Sequence, residues 1–175
     1  MNPSLIIQKS NSKDSSTITS LAQITFRESH GHSASKAEID HYVNLNLNKE
    51  AIKKELLDPT NDYYLIYHDE KAVGFLKILL NTTYKGINQN KVTKLERIYV
   101  LQSHHGLKLG LALIDHAIDV AKDQDQRGMW LYTWIENLRA VAFYEKKGFK
   151  IIDSADFKIS DTHSNPNHIM YLKFD

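Results

Sequence analysis

The chain has no cysteine in its 175 residues. That absence removes disulfides, thiolate metal sites and a cysteine nucleophile, and with the last a two-step transfer through an acyl-cysteine. Proline is scarce at 3 and glycine at 7, which excludes collagen-like repeats and leaves no Pro/Gly-rich interdomain linker. No charge of one sign dominates: 22 Lys+Arg against 21 Asp+Glu leave a formal net charge of +1. There is then no global field toward nucleic acid or an anionic membrane, and a charged ligand must be recognised locally. No apolar run approaches the roughly 20 residues of a membrane span, and residues 1–9 lack the basic-then-apolar order of an export signal. These absences predict a cytoplasmic protein with no membrane or nucleic-acid partner. What is present, 42% hydrophobic and 25% charged residues, suits a single globular domain over 1–175.

Periodicity supplies the elements. An apolar strand over 5–8 precedes capping types at 11–16, and Ile18, Leu21, Ala22 and Thr25 then recur at helical spacing to about residue 28. Ser35 with Glu38 offers a capping box ahead of Ile39, Tyr42 and Val43, and Asn48 caps a third helix carrying Ile52 and Leu56. Two strands, 63–67 and 72–80, flank a hairpin turn, and a polar loop spans 81–91. A strand over 95–100 feeds a loop and then an amphipathic helix with Leu109, Leu113, Ile114, Ala117, Ile118 and Ala121 on one side. An aromatic strand over 129–135 leads to a helix over 137–147, ended by Gly148 where a left-handed cap is required. Strands over 149–152 and 168–173 close the chain, joined by a polar stretch that carries an extension near 155–159. The sum is an α/β (α+β) architecture around one mixed sheet whose first half is antiparallel.

Two segments carry candidate chemistry. Gly106 and Gly110 flank a helix start, where free backbone N–H groups and the helix dipole favour an anion, and His105 and Lys108 add positive character. The spacing matches neither a Walker loop nor a dinucleotide fingerprint, and two glycines near a helix start are more often plain turn chemistry. Further along, Asn137 is a good N-cap, and Ala140, Val141 and Tyr144 share a face, which by itself reads as a packed helix with a tyrosine on its rim. The nine histidines, including His30 and His32 in a loop and His104 beside His105, lack carboxylate partners at ligand spacing. They read as scattered surface residues, and no metal is expected. Trp130, Tyr132 and Trp134 share one strand face and read as core packing.

Taken together, the run 95–100 (Leu-Glu-Arg-Ile-Tyr-Val), the loop 105–110 (His-Gly-Leu-Lys-Leu-Gly) and the later Asn137-x-x-Ala140-x-x-Phe143-Tyr144-x-x-x-Gly148-Phe149 resemble the acetyl-CoA-binding half of the GNAT family of N-acetyltransferases. The resemblance covers residues 60–153 well and the rest by element order. Within the family it looks most like PaiA-type polyamine N-acetyltransferases, with counterparts at residues 96–100, at Phe143-Tyr144 and at Ile169-Met170. It implies a six- to seven-stranded mixed sheet flanked by helices, in which the fourth strand splays from the fifth to take the pantetheine arm of acetyl-CoA. The arm would bond backbone at Ile98, Tyr99 and Val100. The segment His105, Gly106, Leu107, Lys108, Leu109, Gly110 and Leu111 would hold the pyrophosphate, Asn137 would touch the pantetheine, and Lys146 would meet a CoA phosphate. Lys108 departs from the pattern, standing where the family commonly has its first glycine.

The implied reaction is direct transfer of an acetyl group to a primary amine in a ternary complex. Tyr144 matches the tyrosine that faces the CoA sulfur. A phenol with a pKa near ~10 is protonated at neutral pH and can supply the departing thiolate, whose pKa is near ~8.5. Glu96 is the best placed carboxylate for the base, its bland alternative being an ion pair with Lys94, Arg97 or Arg139. The oxyanion donor would be backbone N–H near Val100. The resemblance favours spermidine or spermine as acceptor, bound by the first two helices and the loops 30–35 and 81–90. A peptide or other small amine, and a non-catalytic CoA-binding regulatory module, remain as alternatives, and pairing into a homodimer is in keeping with the family.

Overall fold

The computed structural model describes residues 5–175; residues 1–4, part of the stretch read for an export signal, lie outside it. The strands β1 (Leu5–Lys9), β2 (Asn61–His68), β3 (Lys71–Leu79), β4 (Thr93–Val100), β5 (Gly128–Trp134), β6 (Lys150–Lys158) and β7 (Ser164–Lys173) form one 7-stranded sheet in the order β1-β2-β3-β4-β5-β7-β6. The helices are α1 (Ser15–His30), α2 (Lys36–Asn46), α3 (Lys49–Leu57), α4 (Leu109–Asp123) and α5 (Leu138–Lys146). All strand pairs are antiparallel except β4 with β5. This is the helix-flanked mixed sheet expected from the sequence.

Local chemistry explains the boundaries. Ser35 and Glu38 make both reciprocal bonds of a capping box at α2, Asn48 caps α3 through Ala51 N–H, and Asn137 caps α5 through Ala140 N–H. Asp69 and Glu70 both take positive φ, 47° and 63°, the twist that lets a two-residue turn join β2 to β3. The sheet is covered on both faces. On one, α4 buries Leu109, Leu113, Ile114, Ala117 and Ala121 against Ile66, Leu76, Met129 and Leu131. On the other, α1–α3 bury Ile18, Leu21, Phe26, Ile39, Val43 and Ile52 against Tyr63, Leu65 and Phe75.

The C-terminal hairpin differs from the expectation. Residues 149–152 and 168–173 extend into the longer strands β6 and β7, and the stretch expected to be a polar connection is mostly paired backbone. Its residues alternate, with Ala155 and Phe157 packed inward and Asp156 and Lys158 exposed. An edge strand with one wet face has this composition, and so has a loop, so composition does not separate them. Among the described residues no helix is long and apolar enough to cross a membrane.

Candidate functional site

The site begins with two irregularities in β4. β4 and β5 pair only at Thr93↔Met129, Lys94↔Trp130 and Leu95↔Leu131, and beyond Leu95 they part into a wedge. On its other edge β4 has a register shift opposite Lys77 and Ile78 that leaves Glu96 as the extra residue of a bulge. Leu101 N–H donates to Val73 O at 2.9 Å, and peptide direction alternates along a strand. Tyr99 therefore turns its backbone to β3, whereas Ile98 and Val100 direct N–H and C=O into the wedge. Of the three backbone positions named from the sequence, Ile98 is open to a ligand through both groups and Val100 through its N–H, its carbonyl meeting the His105 ring, and Tyr99 lines the cavity. Gly74 permits this packing: a Cβ there would lie 2.5 Å from Tyr99 O.

A cavity of about 950 Å³ fills the wedge. It brings together Glu96, Ile98, Tyr99, Val100, His105, Gly106, Lys108, Leu109, Gly110, Leu111, Asn137, Tyr144 and Lys146, so every residue expected from the sequence to catalyse or to bind the cofactor lines it except Leu107. Leu107 is 49% exposed and points away.

At one end of the cavity α4 begins. The first helical bond runs from Ala112 N–H to Lys108 O at 3.0 Å, which leaves the N–H groups of Leu109, Gly110 and Leu111 without helical acceptors. Lys108 takes φ 60°, in the left-handed region, and Gly106 takes φ +87°. Lys108 thus takes a left-handed backbone that glycine adopts most readily, and its side chain is exposed. At the end of α5, Lys147 is paired with Asp115, while Lys146 is exposed beside the cavity. The two loop histidines have different settings: His104 contacts the Ser103 hydroxyl, and the His105 ring bridges Val100 O and Arg139.

In the middle of the wedge Tyr144 is 8% exposed. Burial, with a smaller contribution from Tyr99, pushes its phenol above the ordinary range, so it holds its proton at neutral pH. Glu96 lines the cavity with Oε2 2.6 Å from Lys94 Nζ, one of the ion pairs weighed from the sequence. Lys94 lies in turn over the rings of Trp130 and Tyr132, at 5.2 and 5.1 Å. Beside Glu96, Arg97 donates to Glu55 Oε2 at 2.8 Å, and Glu55 also accepts from Lys77 at 2.7 Å and from the Tyr63 hydroxyl. Burial opposes the Glu55 charge, but Arg97 and the bonds from Lys77 and Tyr63 outweigh it and hold the carboxyl at about 2.

The far end of the cavity corrects three expectations. The loop 81–90 takes no part in it: Thr82 O accepts from Trp130 Nε1, and the Tyr84 hydroxyl donates to Asp153 away from the wedge. Phe157, Asn165 and Asn167 of the β6–β7 hairpin line the cavity in its place, brought there by the extended pairing. Trp134 and Tyr132 line the cavity as well; Trp130 alone of the three is enclosed in a core cluster away from it. His30 is the last residue of α1, not a surface loop residue, and it stacks on Phe26 and Trp134 at 4.6 and 6.1 Å. The Ser29 hydroxyl gives its proton to Thr25 O at 2.8 Å, so His30 Nδ1, 2.7 Å from Ser29 Oγ, is the donor there and Nε2 keeps a free lone pair. Burial lowers the His30 pKa to about 4, leaving the ring neutral at pH 7. The sequence placed His30 in the acceptor pocket only as part of the loop 30–35, and it did not single out Arg97 or Trp134 as site residues. Only their convergence in space marks them.

Known proteins are similar to this chain over most of its length. Residues 17–149 match the acetyltransferase (GNAT) family. An uncharacterized N-acetyltransferase from Mycobacterium bovis is 26% identical over 152 residues, covering 87% of this chain and 93% of that protein. Among solved structures, the PaiA N-acetyltransferase from Thermoplasma acidophilum in complex with coenzyme A superimposes with a TM-score of 0.79 at 20% identity, covering 98% of this chain and 99% of the other. Arabidopsis thaliana Naa50 in complex with the bisubstrate analogue CoA-Ac-MVNAL gives a TM-score of 0.67 at 17% identity, covering 98% and 99%. A parallel strand pair that opens into a wedge, a helix start with free N–H groups beside it and a match across 17–149 lead to one assignment: the chain belongs to the GNAT family of acetyl-CoA-dependent N-acetyltransferases.

Proposed function

We propose that residues 1–175 act as one catalytic domain that acetylates a primary amine by direct attack on acetyl-CoA, with a polyamine such as spermidine or spermine as acceptor. The observation that carries the reading is the cavity itself, which joins the free edge of β4, the start of α4 and the buried Tyr144 hydroxyl in one space. In this reading the pantetheine arm lies along Ile98 and Val100 beside Asn137, and the phosphates meet residues 105–111 and Lys146.

The amine nitrogen gives its proton to Glu96, directly or through water, and attacks the thioester carbonyl. The Val100 N–H, directed into the wedge, supports the oxyanion as the tetrahedral carbon forms. The C–S bond then breaks, and the thiolate takes the Tyr144 proton. Burial keeps the Tyr144 phenol protonated at neutral pH, so the proton is on hand for the leaving group. The polyamine reading is supported by three carboxylates on the cavity wall, Glu28, Glu96 and Glu136. A second reading, an amine on an aromatic or peptide body, is favoured by the stacked column of Tyr42, Phe26, His30 and Trp134 at the far end.

Thiol release from acetyl-CoA tests the proposal across spermidine, spermine, amino acids, an aminoglycoside and short peptides. A chain without cysteine keeps the thiol background low. Turnover with the polyamines is the expected result; turnover confined to peptides or aromatic amines would replace the first reading with the second.

A further inference from the structure

Arg139 belongs to the second residue of α5, far along the chain from the phosphate loop, yet the two are joined. Its Nη1 lies 2.6 Å from His105 Nδ1, and His105 Nε2 lies 2.9 Å from Val100 O. A guanidinium has only donors, so Nδ1 must be the acceptor and the ring proton must be on Nε2, donated to the Val100 carbonyl. One imidazole thus ties the start of α5 to the end of β4. It also fixes the direction of the guanidinium beside the loop that opens α4.

Three features suit this place to an anion. The N–H groups of Leu109, Gly110 and Leu111 are free at the start of a 15-residue helix. Arg139 lines the same cavity as those groups. Among the described residues no carboxylate pairs with Arg139, although Asp115 takes Lys147 and Glu96 takes Lys94 close by. An exposed guanidinium held by a neutral ring, with no counterion, retains the fork of donors that matches two phosphate oxygens.

We propose that Arg139 is a ligand of the cosubstrate's pyrophosphate and that His105 is the positioning residue that aims it. The inference rests on the acetyl-CoA reading of this cavity. It assigns His105 a role through its ring in place of direct phosphate contact. It also leaves Val100 with one open group: the carbonyl is taken by His105, and the N–H remains for the substrate.

Isothermal titration of coenzyme A and 3′-dephospho-CoA into the wild type, Arg139→Ala, His105→Ala and the double variant tests both roles. Arg139→Ala should weaken both ligands by about tenfold, because both carry the pyrophosphate and a charge-assisted hydrogen bond is of that order. His105→Ala should weaken them by about threefold, and adding it to Arg139→Ala should cost nothing more, since an aimer without its arginine has nothing to aim. Both side chains are exposed, so the melting temperatures should stay level. Unchanged affinity in Arg139→Ala overturns the proposal. A loss confined to coenzyme A moves Arg139 to the 3′-phosphate, and additive losses remove His105 as its aimer. If the wild type binds neither ligand, the cofactor reading itself fails, which is a separate result from any of these.

Discussion

Tyr144 and Lys108 show how much one side chain's setting decides. Tyr144 is placed by helical spacing, and burial keeps the proton on its phenol at neutral pH, the form that the proposed acid role requires. Tyr144→Phe is expected to lower kcat about tenfold or more with coenzyme A affinity nearly unchanged; steady-state rates and a binding titration check it. Lys108 has the opposite character. Its left-handed backbone strains any residue with a Cβ, and its exposed side chain offsets nothing in the fold. Lys108→Gly should therefore stabilise the protein by up to about 1 kcal/mol in urea unfolding, because relief of that strain exceeds the added freedom of glycine in the unfolded chain.

The elements were the most legible part of the chain. Capping residues at 35, 48 and 137 start helices where the sequence predicts, because a cap is a local bond between a side chain and a nearby N–H. Asn137 has a double position, as cap of the helix that carries Tyr144 and as part of the cavity wall. Asn137→Ala should cost about 1 kcal/mol of stability and also reduce kcat, since fraying of the first turn of α5 loosens the tyrosine beyond it. Urea midpoints and rates on the same variant check the two together. The β6–β7 hairpin was less legible. An alternating strand at a sheet edge needs its partner to be distinguished from a loop, and that partner, β7, is inserted between β5 and β6.

At the scale of the whole molecule, two half-buried groups contribute to the response to acid. His30 has its pKa lowered to about 4 by burial, so folding favours its neutral form. The unfolded chain takes up a proton near pH ~6.5, and stability that is complete above that value falls as the pH drops toward 4. Glu55 has its pKa lowered to about 2 by Arg97, Lys77 and Tyr63 against the cost of burial. Its contribution is complete above the unfolded value near ~4.3 and is lost as the pH falls toward 2. Stability should therefore decline in two stages, the first of about 2 kcal/mol, which discounts the partial exposure of the His30 ring. Urea midpoints at pH 7, 5.5 and 4 should show that first stage in the wild type and a smaller one in His30→Phe, the remainder belonging to His116, whose pKa burial also lowers.

The sequence by itself determined the order of strands and helices, the caps and the glycine-bearing loop that opens α4, because periodicity, capping and turn geometry act over a few residues. It also carried the family, through segments whose spacing survives in one chain. The tertiary structure alone decided where β4 leaves β5, which β4 amides are free, and that His30, Arg97 and Trp134 share a cavity with Tyr144. Those facts depend on pairing and packing between residues distant in the chain. Residue type and spacing are silent on such contacts, since a bulge at Glu96 or a histidine at the end of a helix has the same local composition whether it faces water or a substrate.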